Sequence, residues 1–451
     1  MSKVWEPETV AYLREVRYQI ERLGSLETVN LILSLVEKSE EWIDQSCLNL
    51  YAASNLMSPI ARSLLSSTIA TRVAEGHVGA KHQMGAKYLE RVEALAIELA
   101  KRLYKAEYAE LRVLSGSMAN AISFSALTNP GDMIMSLSVP NGGHISYREF
   151  GVAGYLKLRI KDIPFDKENM NIDTIGLARV LEEIRPKLLV LGASLILFPY
   201  PLEDIREIAE DTGSIIHYDG AHVAGLVAGG EFQDPLHEGA DVFTTSTYKT
   251  LGGPPGGLVL CNDDKIAKKI DKAAFPGMTA GIHYNRVAAM AVVLAEFLEF
   301  GSEYARQTMR NAKELAMTLN REGFDVLCKR NGFTRSHQVA VDVSALGGGK
   351  KSSVRLERAN VICNDNLLPG DSLGMIRNPS GLRLGVQELT RLGMKEKEMR
   401  RVAEFMSRVL IHKENPVRIA SEVKEFRKKY TKVHYCFNGH VMESLNEKFN
   451  S

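Results

Sequence analysis

The sequence of 451 residues contains few cysteines, and these are poorly placed for cross-links. The five are Cys47, Cys261, Cys328, Cys363 and Cys436, and no two form a C-x-x-C pair. An odd number of widely spaced cysteines excludes a disulfide framework and a zinc ribbon. The pattern is typical of a reducing compartment and predicts a cytoplasmic protein.

Long apolar runs and an excess of charge of one sign are also missing. The longest apolar stretches, such as 188–198, are too short to cross a bilayer. The N-terminus carries Lys3, Glu6 and Glu8 without the apolar core of a signal peptide. With 56 basic and 55 acidic residues the formal net charge is +1, so no global attraction to nucleic acid or anionic membrane is expected. We therefore predict a small-molecule substrate and neither a nucleic-acid nor a membrane partner.

Several familiar catalytic and metal-binding motifs are absent too. The sequence has no H-E-x-x-H, G-x-S-x-G or G-x-G-x-x-G motif, and its 11 histidines form no tight cluster of metal-ligand spacing. The segment GGGKKSS at 347–353 has the wrong spacing for a phosphate-binding loop and is better explained as a solvated turn. We predict no metal site.

What the sequence does contain is an alternation of short apolar runs with helical segments. The apolar runs are mostly continuous, which is typical of strands buried on both faces, as in a parallel sheet. The segment 202–213 has the pattern of a crossover helix between two such strands. These features predict an α/β fold with a mostly parallel central sheet flanked by helices. The predicted strands are LRVLSG (111–116), DMIMSLS (132–138), PKLLVLGAS (186–194), SIIHYDGAH (214–222), DVFTTSTY (241–248) and GGLVLCN (256–262).

The pattern changes near residue 284. Two long helical stretches, at about 284–300 and 303–322, are followed by strands at 337–343 and 380–386. This order predicts a smaller C-terminal α+β domain. The predicted units are an N-terminal helical arm (1–45), a large α/β domain (46–298), a small α+β domain (299–430) and a C-terminal tail (431–451).

Two of the predicted strand ends carry small or acidic residues. Ser115, Gly116 and Ser117 precede a helical run, where glycine admits a ligand close to the backbone and the helix N–H groups favour an anion. A plain helix N-cap is the alternative explanation. Asp219 and His222 follow a buried strand, at the sheet edge where α/β proteins bind ligands. An N-cap aspartate beside a packed histidine would explain that pair equally well.

A third strand end carries a lysine. Lys249 follows a β-rich run that contributes the hydroxyls of Ser246 and Tyr248, and a Gly/Pro-rich turn comes after it. A lysine at a turn is usually solvated, but a buried one has a lowered pKa, as an amine needs in order to form a Schiff base. An anion cup, a carboxylate and such an amine on one α/β frame match the three anchors of pyridoxal 5'-phosphate.

At these motifs the sequence resembles the serine hydroxymethyltransferase family of fold-type-I pyridoxal-phosphate enzymes, from about residue 46 to about 410. That family interconverts serine and glycine with tetrahydrofolate as the one-carbon carrier, and it forms homodimers or homotetramers with active sites at the subunit interface. The likeness is strongest at SGSMAN (115–120), NPGD (129–132), GGH (142–144), PKLLVLGAS (186–194), DGAHVAGLVAGG (219–230), ADVFTTSTYKTLGGPPGG (240–257), FPGM (275–278) and SGLRLG (380–385).

The resemblance implies a role for individual residues. Lys249 matches the Schiff-base lysine, Asp219 the partner of the pyridine nitrogen, and His144 the histidine that stacks on the cofactor ring. Arg383 matches the arginine that holds the substrate carboxylate, and Glu75 the glutamate that handles the proton of the substrate hydroxyl. The other matches are Ser115, Gly116 and Ser117 at the phosphate, Gly281 as a phosphate contact from the neighbouring subunit, and Ser194 and His222 near the ring hydroxyl.

The sequence departs from the family mainly where the substrate and folate pocket is shaped. The family's A-S-E-N stands as Ala52-Ala53-Ser54-Asn55, so a serine and an acidic residue are missing, although the predicted substrate contact Asn55 is kept. Tyr248 replaces the histidine before the lysine; we predict a catalytic role for it and a cofactor contact for Ser246. Other replacements are Val73, His82 and Gln83 for three tyrosines, and Val386, Gln387 and Glu388 for T-P-A.

The resemblance implies an enzyme that cleaves or forms the Cα–Cβ bond of a β-hydroxy amino acid, as in serine–glycine interconversion and one-carbon transfer. The replaced positions leave open whether tetrahydrofolate or another pterin is the co-substrate. The first alternative is a folate-independent aldolase for threonine-type or α-methylserine-type substrates. The second is a non-catalytic relative that binds pyridoxal phosphate, and an aminotransferase is a third.

Overall fold

A seven-stranded sheet forms the centre of the larger part of the molecule in the computed structural model, which describes residues 5–437. Several of its strands are buried along their whole length, as their continuous apolar sequences predicted. The strands are β1 (Tyr108–Glu110), β2 (Met133–Ser136), β3 (Arg159–Asp162), β4 (Leu188–Gly192), β5 (Ile215–Asp219), β6 (Val242–Ser246) and β7 (Gly257–Cys261). Their order across the sheet is β1-β7-β6-β5-β4-β2-β3.

All strands of this sheet except β7 run in one direction, and β7 is antiparallel to both of its neighbours. The predicted mostly parallel sheet is therefore confirmed. The edge strand β3 was not predicted, because its sequence RIKD is largely exposed and lacks an apolar run. The strand predicted at 111–116 is wrong in position. β1 ends at Glu110, whose carboxylate accepts the Arg112 N–H at 2.8 Å and so occupies a group that a longer strand would pair.

Helices cover the central sheet and connect its strands. The crossover helix predicted at 202–213 is present as Leu202–Glu210, and its buried residues Leu202, Ile205 and Ala209 face the core. The other helices in this part are Pro59–Leu64, Lys87–Tyr104, Gly116–Leu127, Val152–Tyr155, Thr174–Ile184, Ala224–Ala228 and Asp264–Lys272. Short antiparallel pairs join Gly76–His77 with Ala80–Lys81 and Phe165–Asp166 with Asn171–Ile172.

A single helix of 38 residues, Tyr284–Arg321, passes from the first core to a second one. The prediction of two separate helices at 284–300 and 303–322 is therefore wrong. The gap between the two predicted helices contains Gly301, which continues the helix and lies close to Gly229, where an added Cβ atom would be only 2.5 Å from the Gly301 carbonyl oxygen. The proposed domain limit at residue 298 falls within this helix, and the domain limits stay a prediction.

A four-stranded antiparallel sheet lies in the second core. Its strands are β8 (Asp325–Val326), β9 (Gln338–Asp342), β10 (Asn364–Asn366) and β11 (Gly381–Gly385), in the order β8-β9-β11-β10. Helices accompany it at Gly349–Glu357, Gln387–Arg391, Glu396–Leu410 and Pro416–Arg427. The first of these begins inside the segment 347–353 that was expected to be a solvated turn, and only Gly347 and Gly348 keep turn geometry, with φ of 103° and 92°.

Two helices, Pro7–Ile20 and Ser25–Ser39, precede both cores, and every side chain in them is at least partly exposed. After them, Leu48–Asn49 pairs in parallel with Val361–Ile362, so the chain enters the fold at the second core. Of the predicted tail at 431–451, residues 438–451 lie outside the described residues. Among residues 5–437 no helix is both long enough and apolar enough to span a bilayer.

Candidate active site

The carboxyl ends of β4, β5 and β6 meet the start of the helix Gly116–Leu127 around one cleft. This is the edge at which open α/β sheets bind their ligands. The space between the side chains is about 420 Å³, counted with its open mouth. The predicted site residues that line this cleft are Ser115, Gly116, Ser117, His144, Ser194, Asp219, His222, Ser246, Tyr248 and Lys249.

Asp219, the last residue of β5, is buried at the bottom of the cleft and held by three hydrogen bonds. One carboxylate oxygen accepts from the Tyr147 hydroxyl at 2.6 Å and from the Asn120 amide at 2.7 Å, and the other accepts from the Ala221 N–H at 2.9 Å. Burial opposes ionisation, but the hydrogen bonds from Tyr147 and Asn120 outweigh it and keep the pKa of Asp219 below its ordinary value. The cleft therefore holds a buried carboxylate anion.

Asn120 and Tyr147, which hold Asp219, were not predicted as site residues. The amide oxygen of Asn120 accepts from the Thr244 hydroxyl at 2.8 Å, so its –NH₂ group is directed at Asp219. Both residues lie within or next to motifs already noted, Asn120 at the end of SGSMAN and Tyr147 three residues after His144. Their neighbourhoods were visible in the sequence, but only the fold shows that two separate segments converge on one carboxylate.

Lys249 lies opposite this carboxylate, three residues beyond the end of β6. Its burial lowers the pKa of the amine to about 8, and the nearby Arg383 acts in the same direction while Asp219 acts against it. Tyr248 lines the same cleft, with the lysine Nζ 5.9 Å from its ring centroid. Lys249 can therefore lose its proton near neutral pH, as a nucleophilic amine must.

The anion cup predicted at 115–117 lies at the N-terminus of the helix Gly116–Leu127. The Ser115 hydroxyl caps this helix by accepting from the Met118 N–H at 3.1 Å, and the Ser117 side chain is exposed to the cleft. A Cβ on Gly116 would lie 3.1 Å from the Cβ of Ser246, so a side chain here would push the start of the helix away from the end of β6. The N-cap and the anion cup are thus one structure, whose free N–H groups face the opening.

Two histidines line the cleft beside the lysine and the aspartate. Nδ1 of His144 accepts from the Ser146 N–H at 3.2 Å, and burial lowers the pKa of this imidazole. His222 follows Asp219 in the turn after β5, and its burial, together with Lys249 and Arg383, holds its pKa well below the ordinary value. Both rings are therefore neutral at physiological pH.

Arg383 of β11 lies in an adjoining cleft of about 680 Å³, which shares His144 and Ser194 with the first. Its Nη1 donates to the Ser194 carbonyl at 2.7 Å and its Nε donates to the Asn364 side chain at 3.1 Å. Although burial lowers the pKa of Arg383 to about 10, the group stays a cation at neutral pH. The described structure gives Nη2 no protein partner, so this nitrogen is available for a substrate carboxylate.

Glu75 and Gly281 do not line the cleft of their own chain in the described structure. They lie near each other instead, since a Cβ on Gly281 would be 3.2 Å from the Cβ of Val73, two residues before Glu75. Val73 itself is 63% exposed. The predicted roles of Glu75 and Gly281 stay predictions, and the structure places both at one surface region.

Asn55 lies behind Lys249 rather than in the cleft. Its amide nitrogen donates to the Lys249 carbonyl at 2.9 Å and lies 2.8 Å from the Tyr304 hydroxyl. Its amide oxygen accepts from the Leu56 N–H at 2.9 Å. The contacts described here support the lysine, and the substrate-binding role predicted for Asn55 stays a prediction.

These residues fit pyridoxal phosphate by their chemistry. The buried carboxylate of Asp219 suits a protonated ring nitrogen, and the N–H groups at Ser115–Ser117 suit a phosphate dianion. The lowered pKa of Lys249 suits capture of an aldehyde. Among residues 5–437 no group of three or more His, Cys, Asp or Glu side chains could hold a metal ion.

The chain is similar to proteins of known family. The family model for serine hydroxymethyltransferase matches residues 27–406. The chain is 47% identical over 411 residues to serine hydroxymethyltransferase of Methanocella arvoryzae, which covers 91% of this chain and 97% of that protein. It is 46% identical over 416 residues to serine hydroxymethyltransferase of Methanopyrus kandleri, with coverages of 92% and 97%.

A solved structure extends the likeness to the fold. L-threonine transaldolase from Pseudomonas fluorescens, determined in the internal aldimine state, superposes with a TM-score of 0.84 at 25% sequence identity. The match covers 96% of this chain and 99% of that one. The predicted fold-type-I architecture is thereby confirmed. With the family model matched over most of its length and close relatives aligned almost end to end, the chain belongs to the serine hydroxymethyltransferase family.

Proposed function

We propose that this protein is a pyridoxal-phosphate-dependent hydroxymethyltransferase that interconverts serine and glycine. The observation that carries the proposal is the convergence of Lys249, Asp219 and the anion cup in one cleft that adjoins Arg383. These groups bear the charges that the cofactor and an amino acid require. The family membership of the chain supports the same reaction.

The cofactor would be held at three points. Asp219 would hold the ring nitrogen, Ser115 to Ser117 the phosphate, and Lys249 the aldehyde carbon, with His144 against the ring. When bound, pyridoxal phosphate supplies an electron sink for the carbanion left at Cα when the Cα–Cβ bond breaks. Asp219 favours that role, because its negative charge keeps the ring nitrogen protonated.

Arg383 would orient the substrate. Its Nη1 and Nε are occupied by Ser194 and Asn364, so the guanidinium plane is fixed before substrate binds. A fixed, buried cation that offers its remaining N–H groups to a carboxylate favours α-amino acids over amines. The hydroxyl proton of the substrate needs a base, and Glu75 is the candidate if a second subunit brings it to the cleft.

The adjoining cleft supports a pterin such as tetrahydrofolate as the one-carbon carrier. Its apolar walls suit a flat heteroaromatic ring, and Asp365 and Asn366 provide polar groups at its edge. It opens beside Arg383, where the transferred carbon would be released. The apolar side chains of this cleft are Val139, Ile145, Leu367, Ile376 and Pro379.

We further propose that the enzyme is a homodimer, or a pair of such dimers, with a shared site. Glu75 and Gly281 share one surface region outside their own cleft, so a second copy is needed to bring them to it. The helices Pro7–Ile20 and Ser25–Ser39 carry exposed apolar side chains that a second copy would cover. These side chains include Tyr12, Leu13, Leu26, Ile32, Leu33 and Val36.

We also propose that the enzyme acts in the cytoplasm. All five of its cysteines are free thiols in the described structure. Burial raises the pKa of Cys47, Cys261 and Cys363 to about 12, so these thiols resist ionisation and oxidation. Free thiols of this kind suit a reducing compartment.

The decisive experiment measures glycine formation from serine with and without tetrahydrofolate, together with the visible absorbance of bound cofactor. We expect cofactor absorbance and folate-dependent glycine formation. Lys249→Ala should abolish turnover, whereas Lys268→Ala, on the exposed face of the helix Asp264–Lys272, should leave it unchanged. A Lys249→Ala enzyme with normal turnover would refute the role of the lysine.

The same preparation tests the aldolase alternative, which the likeness to a threonine transaldolase favours. Threonine and α-methylserine are supplied without folate, and the released aldehyde is measured. Aldehyde release from either substrate that exceeds folate-dependent serine turnover would move the assignment to the aldolase. A protein that binds no pyridoxal phosphate would contradict both enzymes.

A further inference from the structure

A buried glutamine from the second sheet, Gln338, contacts Ser194 and His222, which line the active-site cleft, and it was not among the predicted site residues. It is the first residue of β9 and fully buried. Its side chain reaches the loop after β4, where Nε2 donates to the Ser194 carbonyl at 2.9 Å and Oε1 accepts from the Ile196 N–H at 2.7 Å. These two bonds tie the edge of the cofactor cleft to the sheet that carries Arg383.

The same two bonds fix which way the amide of Gln338 points. One partner is a carbonyl, which only accepts, and the other is a backbone N–H, which only donates. A flipped amide would set oxygen against oxygen at Ser194 and N–H against N–H at Ile196. The –NH₂ group therefore lies on the Ser194 side.

The fixed –NH₂ group also faces a ring nitrogen of His222. Nε2 of Gln338 lies 3.0 Å from Nδ1 of His222. Since that amide nitrogen can only donate, Nδ1 must accept and cannot carry a proton. The proton of the neutral ring is then on Nε2. With Nδ1 occupied by Gln338, this N–H is the polar group of the His222 side chain that remains for a ligand in the cleft.

The charged groups around His222 favour the neutral ring as well. Lys249 and Arg383 lie close enough for their charges to oppose a second proton on the imidazole, in addition to burial. His337 stacks on His222 with ring centroids 5.9 Å apart and planes at 17°, and burial lowers its own pKa to about 3. His337 therefore adds a neutral ring and no charge to this contact.

We propose that Gln338 is a positioning residue that fixes His222 in its Nε2–H tautomer, so that the cleft offers a neutral hydrogen-bond donor to the ring oxygen of the cofactor. Only the identity of the acceptor rests on the proposed function. With Nδ1 protonated instead, the ring would turn a lone pair toward the electron-rich oxygen and repel it.

Gln338 also connects the cofactor side of the site to the substrate side. The Ser194 carbonyl that accepts from Gln338 also accepts from Nη1 of Arg383 at 2.7 Å. Loss of the amide therefore removes one of the groups that hold the Ser194 carbonyl against the arginine. We expect variants at Gln338 to change both cofactor affinity and the KM for the amino acid.

The first test reads the tautomer directly, in the apoprotein, by nitrogen NMR with ¹⁵N-labelled histidine. The His222 signals are identified by their loss in His222→Asn. We expect a bare Nδ1 and a protonated Nε2 in the wild type, a measurable Nδ1-protonated fraction in Gln338→Met, and a proton drawn to Nδ1 in Gln338→Glu. A wild type with protonated Nδ1, or variants with unchanged signals, would overturn the proposal.

Gln233 provides a matched control. It is a buried glutamine whose oxygen accepts from the Tyr200 N–H at 3.0 Å and whose nitrogen donates to the Tyr200 carbonyl at 2.8 Å, and these bonds involve no histidine. Gln233→Met should leave the His222 signals as they are in the wild type. A shift of those signals in this variant would show a general loosening of the fold and overturn the assignment to Gln338.

The second test titrates the apoproteins with pyridoxal phosphate and then measures steady-state kinetics. Gln338→Met should bind the cofactor more weakly by the factor by which the Nε2–H fraction of His222 falls in the NMR measurement, because the apparent Kd rises as the binding-competent fraction drops, and it should show a raised KM for serine. Equal affinity and equal absorbance in the wild type and Gln338→Met would contradict the inference. A wild type that binds no pyridoxal phosphate would contradict the proposed function instead, while the tautomer result would stand.

Discussion

At the scale of single residues, the candidate chemistry depends on two buried ionisable groups, Asp219 and Lys249, whose environments differ. Asp219 is surrounded by donors that favour its ionised form, and Lys249 lies in a buried position that favours its neutral form. Burial alone would have neutralised both groups. The hydrogen bonds from Tyr147 and Asn120 are therefore what keeps a negative charge in the cleft.

Removal of one of these donors should weaken the cofactor site without unfolding it. Tyr147→Phe deletes the 2.6 Å hydrogen bond to Asp219, so the pKa of the carboxyl should rise and its hold on a protonated ring nitrogen should weaken. We expect about tenfold weaker binding of pyridoxal phosphate, equivalent to roughly 1.4 kcal/mol, measured by titration of the apoprotein.

The control for this prediction is Tyr200→Phe. Tyr200 is also buried, and its hydroxyl makes no hydrogen bond to Asp219. Cofactor affinity should stay close to that of the wild type. Equal losses in both variants would show that the effect comes from packing around the sheet rather than from the carboxylate.

At the scale of elements, the junctions between segments distant in sequence carry the least predictable features. The short helix Gln387–Arg391 places Glu388 against the strand Leu48–Asn49. Its carboxyl oxygen accepts from the Asn49 amide at 2.7 Å and from the Ser54 hydroxyl at 3.3 Å. The A-S-E-N segment lacks its acidic residue in this sequence. The carboxyl group of Glu388 instead lies beside that segment, in contact with Ser54.

Glu388 should make the stability of this junction depend on pH. Burial, with Asp44 nearby, raises the pKa of the carboxyl from 4.5 to about 8, although Arg427 acts against it. The folded state therefore binds this proton more tightly than the unfolded state does, so the group costs stability progressively as pH rises from about 4.5 to about 8. Glu388→Gln removes that cost.

We expect Glu388→Gln to match the wild type near pH 5 and to be more stable by about 2–4 kcal/mol at pH 8. Thermal unfolding at a fixed scan rate across this pH range measures the difference. Glu357→Gln, an exposed position of the helix Gly349–Glu357, should give curves parallel to the wild type. A variant at 388 that loses stability at every pH would contradict this explanation.

The crossing of the 38-residue helix with the end of the helix Ala224–Ala228 gives a second prediction at this scale. A Cβ on Gly229 would lie 2.5 Å from the Gly301 carbonyl oxygen and 2.6 Å from the Cβ of Ala305. Gly229→Ala should therefore push the helices apart and lower the free energy of unfolding by about 1–3 kcal/mol.

Chemical denaturation measures this loss, and Gly374→Ala is the control. A Cβ on Gly374 would have only the Ser372 hydroxyl nearby, at 3.6 Å, and the φ of Gly374 is not in the left-handed region. The control should change stability by less than about 0.5 kcal/mol. A Gly229→Ala protein as stable as the wild type would show that the crossing can relax at little cost.

At the scale of the whole molecule, the proposed active site combines residues of two subunits. Within the described residues each chain contributes a cleft with Lys249, and a separate surface region with Glu75 and Gly281. A twofold pair of subunits would place the surface region of one at the cleft of the other. Tag-selected mixed dimers test this arrangement.

A mixed dimer of Glu75→Gln and Lys249→Ala subunits should contain one intact site and show about half of the wild-type activity. Its matched control pairs a wild-type subunit with a subunit that carries both changes. That control should be inactive, because each of its sites then contains one altered residue. The opposite result, an inactive first hybrid and a half-active control, would place Glu75 in the cleft of its own chain.

Features of the fold and of the site could be predicted from the sequence where the residues that define them are neighbours in the chain. The polar residues at Asp219 and Lys249 were predictable, because each follows a short segment whose apolar run and turn residues show both the strand and its end. The small residues at Ser115 were also visible, although the strand before them ends at Glu110 and was misplaced. Asn120 and Tyr147 were missed although one stands in a recognised motif and the other close to one, since their partner is distant in sequence. The continuous helix was missed because the predicted gap at 301–302 contains a glycine, which weakens a helix locally, whereas the stretches on both sides pack into the two cores and keep the helix intact.

The sequence by itself thus determined the α/β architecture and the chemistry of the cofactor cleft, because buried strands and the residues at their ends are local features of composition and spacing. Tertiary structure alone decided how those residues are tuned. Gln338 and His222 are 116 positions apart, and Glu388 and Ser54 are 334 apart, yet each pair is in hydrogen-bond contact. Contacts of this kind fix a tautomer or a protonation state through geometry that no local pattern contains.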